Sequence, residues 1–252
     1  MNINSLTLNG FRSYNKRKFS FSPRISVIVV DNAAGKTNLL EAVFILSTGK
    51  SFRADHDRDM INFEKEIARL EAVINRERYG EEEGKRMEKV ELNLVITRGM
   101  VSNIQTPLKR YEINGVSKSA VNFVGTLKVV LFWPEDLELV TDSPGRRRRY
   151  LDFVLIQTDR EYRRNLISYE KAIRHRNRVL EAIRDGGAHS TQLIFWDQLI
   201  IKTGQYLSTK REEYLNFVNT QKMSSSERAM PEYHLVYDRS EISQARLLQY
   251  KE

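Results

Sequence analysis

The chain has 252 residues, 40% of them hydrophobic and 29% charged, and carries a net charge of +8. That length and mixture suit one large or two modest packed domains and exclude a disordered or fibrous chain. No apolar stretch approaches the roughly 20 residues of a membrane span, Met1-Asn2-Ile3-Asn4 has no apolar signal core behind it, so secretion is not expected, and the lack of cysteine removes disulfides and thiolate metal sites.

In chain order, Ile3, Leu6 and Leu8 form a short apolar run, Gly10 breaks it, and Phe19-Ser20-Phe21 alternates before Pro23, so a β-hairpin is expected. Ile25-Ser26-Val27-Ile28-Val29-Val30 is β-branched and apolar on both faces, the pattern of a buried central parallel strand. It leads through Asp31-Asn32-Ala33-Ala34-Gly35-Lys36-Thr37 into Asn38-Leu39-Leu40-Glu41-Ala42-Val43-Phe44-Ile45-Leu46, which reads as a helix with a broad apolar face. Residues 67–130 carry short alternating runs with a charged Gly80-to-Gly84 connection and an Asn114-Gly115 turn signal, the marks of an antiparallel meander.

After Pro134 the chain turns helical. Tyr162, Leu166, Tyr169, Ile173, Leu180 and Ile183 take heptad positions, with Arg176 in the remaining slot and Asp185-Gly186-Gly187 as the stop. Leu193, Trp196, Ile200, Thr203, Leu207, Lys210, Tyr214 and Phe217 form a second series, so two antiparallel coiled helices are expected. At that spacing Tyr162, Tyr169 and Trp196, together with Tyr206, fit a helix seam better than a base-stacking platform. Residues 223–227 read as a loop, 233–237 as a strand and 241–252 as a helix.

Strand, loop and helix around Gly35-Lys36-Thr37 stand in phosphate-loop order. In such a loop the backbone amides and the helix N-terminus hold phosphates, the lysine reaches the β and γ groups, and the threonine hydroxyl ligates magnesium. The expected nucleotide-binding residues are Val30, Asp31, Asn32, Ala33, Ala34, Gly35, Lys36, Thr37 and Asn38, with ATP and Mg2+ as cofactors and Thr37 as the magnesium contact. Val30 stands where the pattern has its first glycine, and Asp31 adds negative charge beside it, so low affinity is expected. His56, His175, His189 and His234 never stand at ligand spacing, and no zinc or iron site is expected.

The positive charge is concentrated. Between Ser143 and Leu180, ten arginines and one lysine face four acids, an excess of +7. Arg146, Arg147, Arg148 and Arg149 open a helix there, against a macrodipole that favours acids. The block is expected to contact phosphates or a partner subunit.

Three blocks carry a resemblance: Gly10-Phe11-Arg12-Ser13-Tyr14, the stretch from Asp31 to Ala42, and Thr48-Gly49-Lys50-Ser51-Phe52-Arg53. Together with Phe132-Trp133-Pro134-Glu135-Asp136-Leu137 and Ser143-Pro144 followed by Arg147-Arg148-Arg149-Tyr150-Leu151-Asp152, they closely resemble the RecF family of bacterial DNA replication and repair proteins, over roughly residues 1–217. The resemblance implies an α/β fold: a P-loop ABC-ATPase-type head, related to the SMC proteins, with an antiparallel β subdomain and a helical, short coiled-coil lobe. The expected divisions are 1–142 for the ATPase lobe, 143–222 for the helical lobe, and 223–252 for an incomplete return to the head.

The same resemblance implies an ATP-dependent homodimer that binds gapped or single-stranded DNA in the cytoplasm, acts in recombinational repair and the SOS response, and helps load recombinase alongside RecO and RecR. It puts Arg12 in reach of nucleotide phosphate or DNA, and Lys50 and Arg53 in reach of DNA; solvated surface charge is the alternative for each. ABC-type heads complete each site with a serine-glycine signature and an aspartate-ended strand. No such signature follows Phe217, and the run Val129 to Asp136 is interrupted by Pro134, so the family's C-terminal third is expected to be missing and this chain alone to lack turnover. The alternatives are a P-loop small-molecule phosphotransferase and a structural DNA-binding remnant with a decayed loop.

Overall fold

Alternation in three strands builds one buried sheet face. In β1 (Asn2–Phe11) it is Leu6 and Leu8, in β3 (Ile67–Gly80) Ala68, Leu70, Ala72 and Ile74, and in β4 (Gly84–Thr97) Val90, Leu92, Leu94 and Ile96, every one nearly inaccessible to solvent. The register sets these residues opposite one another: Leu8 faces Leu70, Leu70 faces Leu94, and Ala72 pairs with Leu6 on one side and Leu92 on the other. Such cross-strand apolar pairs are the unit of sheet stability. The computed structural model describes residues 1–80, 84–221 and 234–238, and the chain divides into two compact units, Met1–Thr141 and Asp142–Glu252.

In the first unit β2 (Tyr14–Ser20) closes the expected hairpin with β1, and the six-stranded sheet runs β2-β1-β3-β4-β7-β8, with β7 at Lys109–Ile113 and β8 at Val116–Lys118. All its pairings are antiparallel. Asn114 and Gly115 both take positive φ, 51° and 75°, as a type I′ turn requires. A second small hairpin, β5 (Met100–Val101) with β6 (Ile104–Gln105), turns on Ser102 and Asn103. Helix α1 (Lys36–Thr48) lays Leu39, Ala42, Ile45 and Leu46 into the same core, with Phe123 of the short α2 (Ala120–Phe123) beside them. Gly49, at φ 72°, ends α1 by donating its N–H to Ile45.

The central parallel strand expected at residues 25–30 is overturned. Residues 25–30 form no strand, and Ile25, Val27 and Val29 are each more than three-quarters exposed. The sheet of this unit is antiparallel and leaves that run outside its order, so among the described residues no neighbouring strand buries it.

The second unit holds α3 (Pro144–Thr158), α4 (Arg160–Arg184) and α5 (Leu193–Thr220). Asp159 caps α4, its carboxylate accepting from the N–H groups of Glu161 and Tyr162. Helices α4 and α5 run antiparallel, early α4 meeting late α5. Their interface is more polar than the heptad reading: Arg176 pairs with Asp197 at 2.6 Å, and Arg211 is buried where Lys210 was expected. Trp196 is only half-buried; it stacks on His175 with centroids 4.5 Å apart. Residues 234–238 form no strand; Asn219 holds Leu235 by donating to its carbonyl and accepting from its N–H. The loop expected at 223–227 and the helix expected at 241–252 lie outside the described residues.

The base of the helical unit is tied by one carboxylate. Asp152 of α3 accepts from the Tyr162 hydroxyl of α4 and from Nη2 and Nε of Arg211 on α5, at 2.7 and 3.0 Å. Burial, and next the Asp152 charge, push the Tyr162 phenol well above its usual range, so it stays a donor. Removing the carboxylate strands a buried cation and a buried hydroxyl. Asp152→Ala should therefore lower the stability of the helical unit by about 3 kcal/mol in urea unfolding, and Asp152→Leu combined with Arg211→Met should recover most of it.

Candidate functional site

The loop between residue 30 and α1 is shaped by two left-handed residues. Ala33 has φ 64° and Gly35 φ 98°, and the Ala34 N–H donates to the Asp31 carbonyl at 3.3 Å, closing a tight turn. Gly35 is the N-cap of α1 without a side-chain cap, so the first-turn amides face outward without a capping oxygen. An ideal Cβ on Gly35 would lie 2.7 Å from the Tyr14 hydroxyl oxygen, so only glycine fits. The Lys36 ammonium arches back over the loop and donates to the carbonyls of Val30 and Asp31 at 2.7 and 2.9 Å. Thr37 is exposed at the helix start, and Asn38 donates to Ser13 Oγ at 3.0 Å. Arg53 reaches Asn38 Oδ1 at 3.3 Å, so one of the two basic residues that follow α1 lies beside the loop.

Val30 departs from the glycine of the pattern without backbone strain, because its φ is not left-handed; the strained non-glycine position of the loop is Ala33. The loop still fits a phosphate group. A glycine cradle too tight for a Cβ, outward first-turn amides and a lysine ammonium poised across the mouth are the donor set an anion requires.

Beneath the loop lies a residue that sequence reasoning passed over. Glu41 is completely buried on α1, and Arg12 grips its carboxylate with both prongs, Nη2 at 2.6 Å and Nε at 2.8 Å, while Ser51 donates at 2.5 Å. The third guanidinium nitrogen, Nη1, donates to the Asp59 carbonyl at 2.6 Å. Arg12 thus holds the helix that follows the loop. The available signal was a lone acid inside Leu39-Leu40-Glu41-Ala42-Val43, where an apolar helix face has no ordinary use for a charge.

Asp136 is spent locally. Its carboxylate accepts from the backbone N–H and Nε1 of Trp133, capping the 3-10 turn Pro134–Leu139. Among the described residues no cluster of three or more acids and histidines can hold a metal, and no helix is long and apolar enough to cross a membrane.

In the second unit the four arginines do open α3, whose first turn contains no acid. Arg146 pairs with Asp142 at 2.5 Å, Arg147 donates to the Asp142 carbonyl, and Arg149 lies over the Phe153 ring at 5.4 Å. Arg147, Arg148 and Arg149 are exposed.

Comparison with known proteins agrees with this anatomy. Residues 2–237 match the RecF/RecN/SMC N terminal domain. The DNA replication and repair protein RecF of Thermomicrobium roseum is 39% identical over 224 residues, covering 85% of this chain and 54% of that protein. The RecF of Roseiflexus castenholzii is 35% identical over 227 residues, covering 84% and 55%. Solved structures of the recombination mediator protein RecF with ATP and with ATPrS match at a TM-score of 0.72 and 27% identity over 86% of this chain. The chain spans about half the length of these relatives.

The two left-handed residues separate what the loop needs from what the pattern names. Ala33→Gly should raise stability by about 1 kcal/mol in urea unfolding, because it relieves a left-handed alanine, whereas Val30→Gly should lower it through added freedom of the unfolded chain.

Proposed function

The chain belongs to the RecF/RecN/SMC N-terminal domain family, and on that premise we propose that it is the nucleotide-binding part of a RecF-type DNA replication and repair protein. The observation that carries this reading is the loop itself: Gly35 left-handed at the N-cap of α1, with the Lys36 ammonium lying across the mouth on two carbonyls. Bound ATP supplies the triphosphate charge that such a loop reads.

In this reading the first-turn amides of α1 hold the phosphates, and Lys36 exchanges two neutral carbonyl partners for charged oxygens, a roughly twofold stronger bond. Thr37, exposed at the helix start, offers its hydroxyl to the accompanying Mg2+. Arg12 enters through the helix it holds, keeping α1 and its N-terminus in place by way of Glu41. Asp31 repels the incoming phosphates and keeps affinity modest. The partner in the second unit is DNA, gapped or single-stranded, held through phosphates by the arginines at the start of α3. RecO, RecR and a second copy assembled around ATP are the partners expected of the whole protein, in the cytoplasm.

Two measurements test this. Titration calorimetry should show nucleotide binding by the chain and its loss, at least tenfold, in Lys36→Ala, since that change removes the ammonium from the loop mouth; unchanged affinity would remove the phosphate-loop assignment. For DNA, the logarithm of the binding constant should fall linearly with the logarithm of salt, and neutralising Arg147 and Arg148 together should flatten that slope by about 2 in fluorescence anisotropy on a gapped duplex. An unchanged slope with lost self-association would assign the block to a subunit interface instead.

A further inference from the structure

Tyr14 is the first residue of β2, far from the loop in sequence, yet its hydroxyl donates to the Gly35 carbonyl at 3.1 Å. The ring is buried at 8% exposure and stands edge-on to Phe19, with centroids 5.5 Å apart. The same carbonyl accepts the first helical bond of α1 from the Leu39 N–H at 3.0 Å. Two donors therefore occupy both lone pairs of one oxygen.

The peptide between Gly35 and Lys36 is planar and trans, so its carbonyl and its N–H point in opposite directions. Holding the oxygen inward, on Tyr14 and Leu39, turns the Lys36 N–H outward to the loop mouth. Glycine is the residue least able to keep that plane by itself, since without a Cβ its φ and ψ are the least restricted of any residue. Leu39 alone is the ordinary partner in any helix and restrains the oxygen from the helix side only.

We propose that Tyr14 is a positioning residue for phosphate binding, its hydroxyl locking the Gly35–Lys36 peptide so that the Lys36 amide faces the anion. This rests on the nucleotide reading given above and adds to it the device that keeps the loop in its binding shape without a ligand. The device sits on the sheet, not on the loop. The glycine that Tyr14 controls is also the one whose space Tyr14 fills, since an added Cβ would meet both its oxygen and its ring carbon Cζ, at 2.7 and 2.9 Å.

Tyr14→Phe is the discriminating variant because it keeps the buried ring and its edge contact with Phe19 and removes one oxygen. Binding of ATP and of ADP to the full 252-residue chain should each weaken by about 5- to 10-fold, the worth of one hydrogen bond, and by the same factor, since a β-phosphate is common to both. Amide exchange at Lys36, followed by mass spectrometry with ATP present, should speed up in the variant, while exchange in the β3–β4 pair stays as in the parent chain. A purely structural role would instead speed exchange across the sheet and leave the ATP and ADP affinities of the folded fraction unchanged, and that result overturns the proposal. Lys36→Ala separates the two readings: if it binds ADP as the parent chain does, the nucleotide reading fails and Tyr14 with it. If Lys36→Ala loses binding and Tyr14→Phe keeps it, the positioning role alone fails.

Discussion

The first unit turns on one buried carboxylate. Glu41 has no access to solvent, and an ionised group there is tolerable only because Arg12 meets it with a bidentate fork and Ser51 adds a third donor. Each partner comes from a different place in the chain: Arg12 from the β1–β2 turn, Ser51 from the segment after α1, and Asp59, further on, accepts the remaining prong of Arg12. Arg12 itself sits at φ 52°, a left-handed conformation that an arginine avoids. Its backbone is pinned on both sides, the N–H donating to Met60 and the carbonyl accepting from Asn62. This left-handed turn carries the guanidinium that reaches Glu41 on α1.

The helical unit repeats that logic in a different setting. Its two long helices do not meet along an apolar seam alone; Arg176 with Asp197, and Arg211 with Asp152 and Tyr162, occupy interface positions that leucine would fill in a simple coiled coil. The Arg176–Asp197 pair joins α4 to α5 and the Arg211–Asp152 pair joins α5 to α3, and a shift of one turn in either contact would leave buried charges unmatched. The surface of this unit is free to carry the excess of arginine that its core does not need.

Much of this architecture is legible in the residues, and the parts that are not share a cause. The β1–β2 hairpin, the Asn114-Gly115 turn, the β3–β4 alternation and the stop at Asp185-Gly186-Gly187 are local, each fixed by chemistry within a few positions. Ser102-Asn103 turns a hairpin without glycine and gives no such signal. The run from Ile25 to Val30 shows the limit most clearly, because a β-branched stretch records a preference for burial between layers but not whether a neighbouring strand is in reach. Glu41, Arg211 and Tyr14 escaped notice for the same reason: each acquires its role from a partner more than twenty residues away. In the candidate site, the loop residues were readable as a motif, while the side chains that hold the loop in shape were not.

The central claim is that this loop, as folded here, is a nucleotide-binding loop rather than an ordinary turn leading into α1. Amide hydrogen exchange of the unmodified chain with and without ATP and magnesium tests it most directly. The account predicts ATP-dependent protection confined to residues 31–38, with the β3–β4 pair and α4 unchanged. Identical exchange of residues 31–38 at saturating ATP would contradict it.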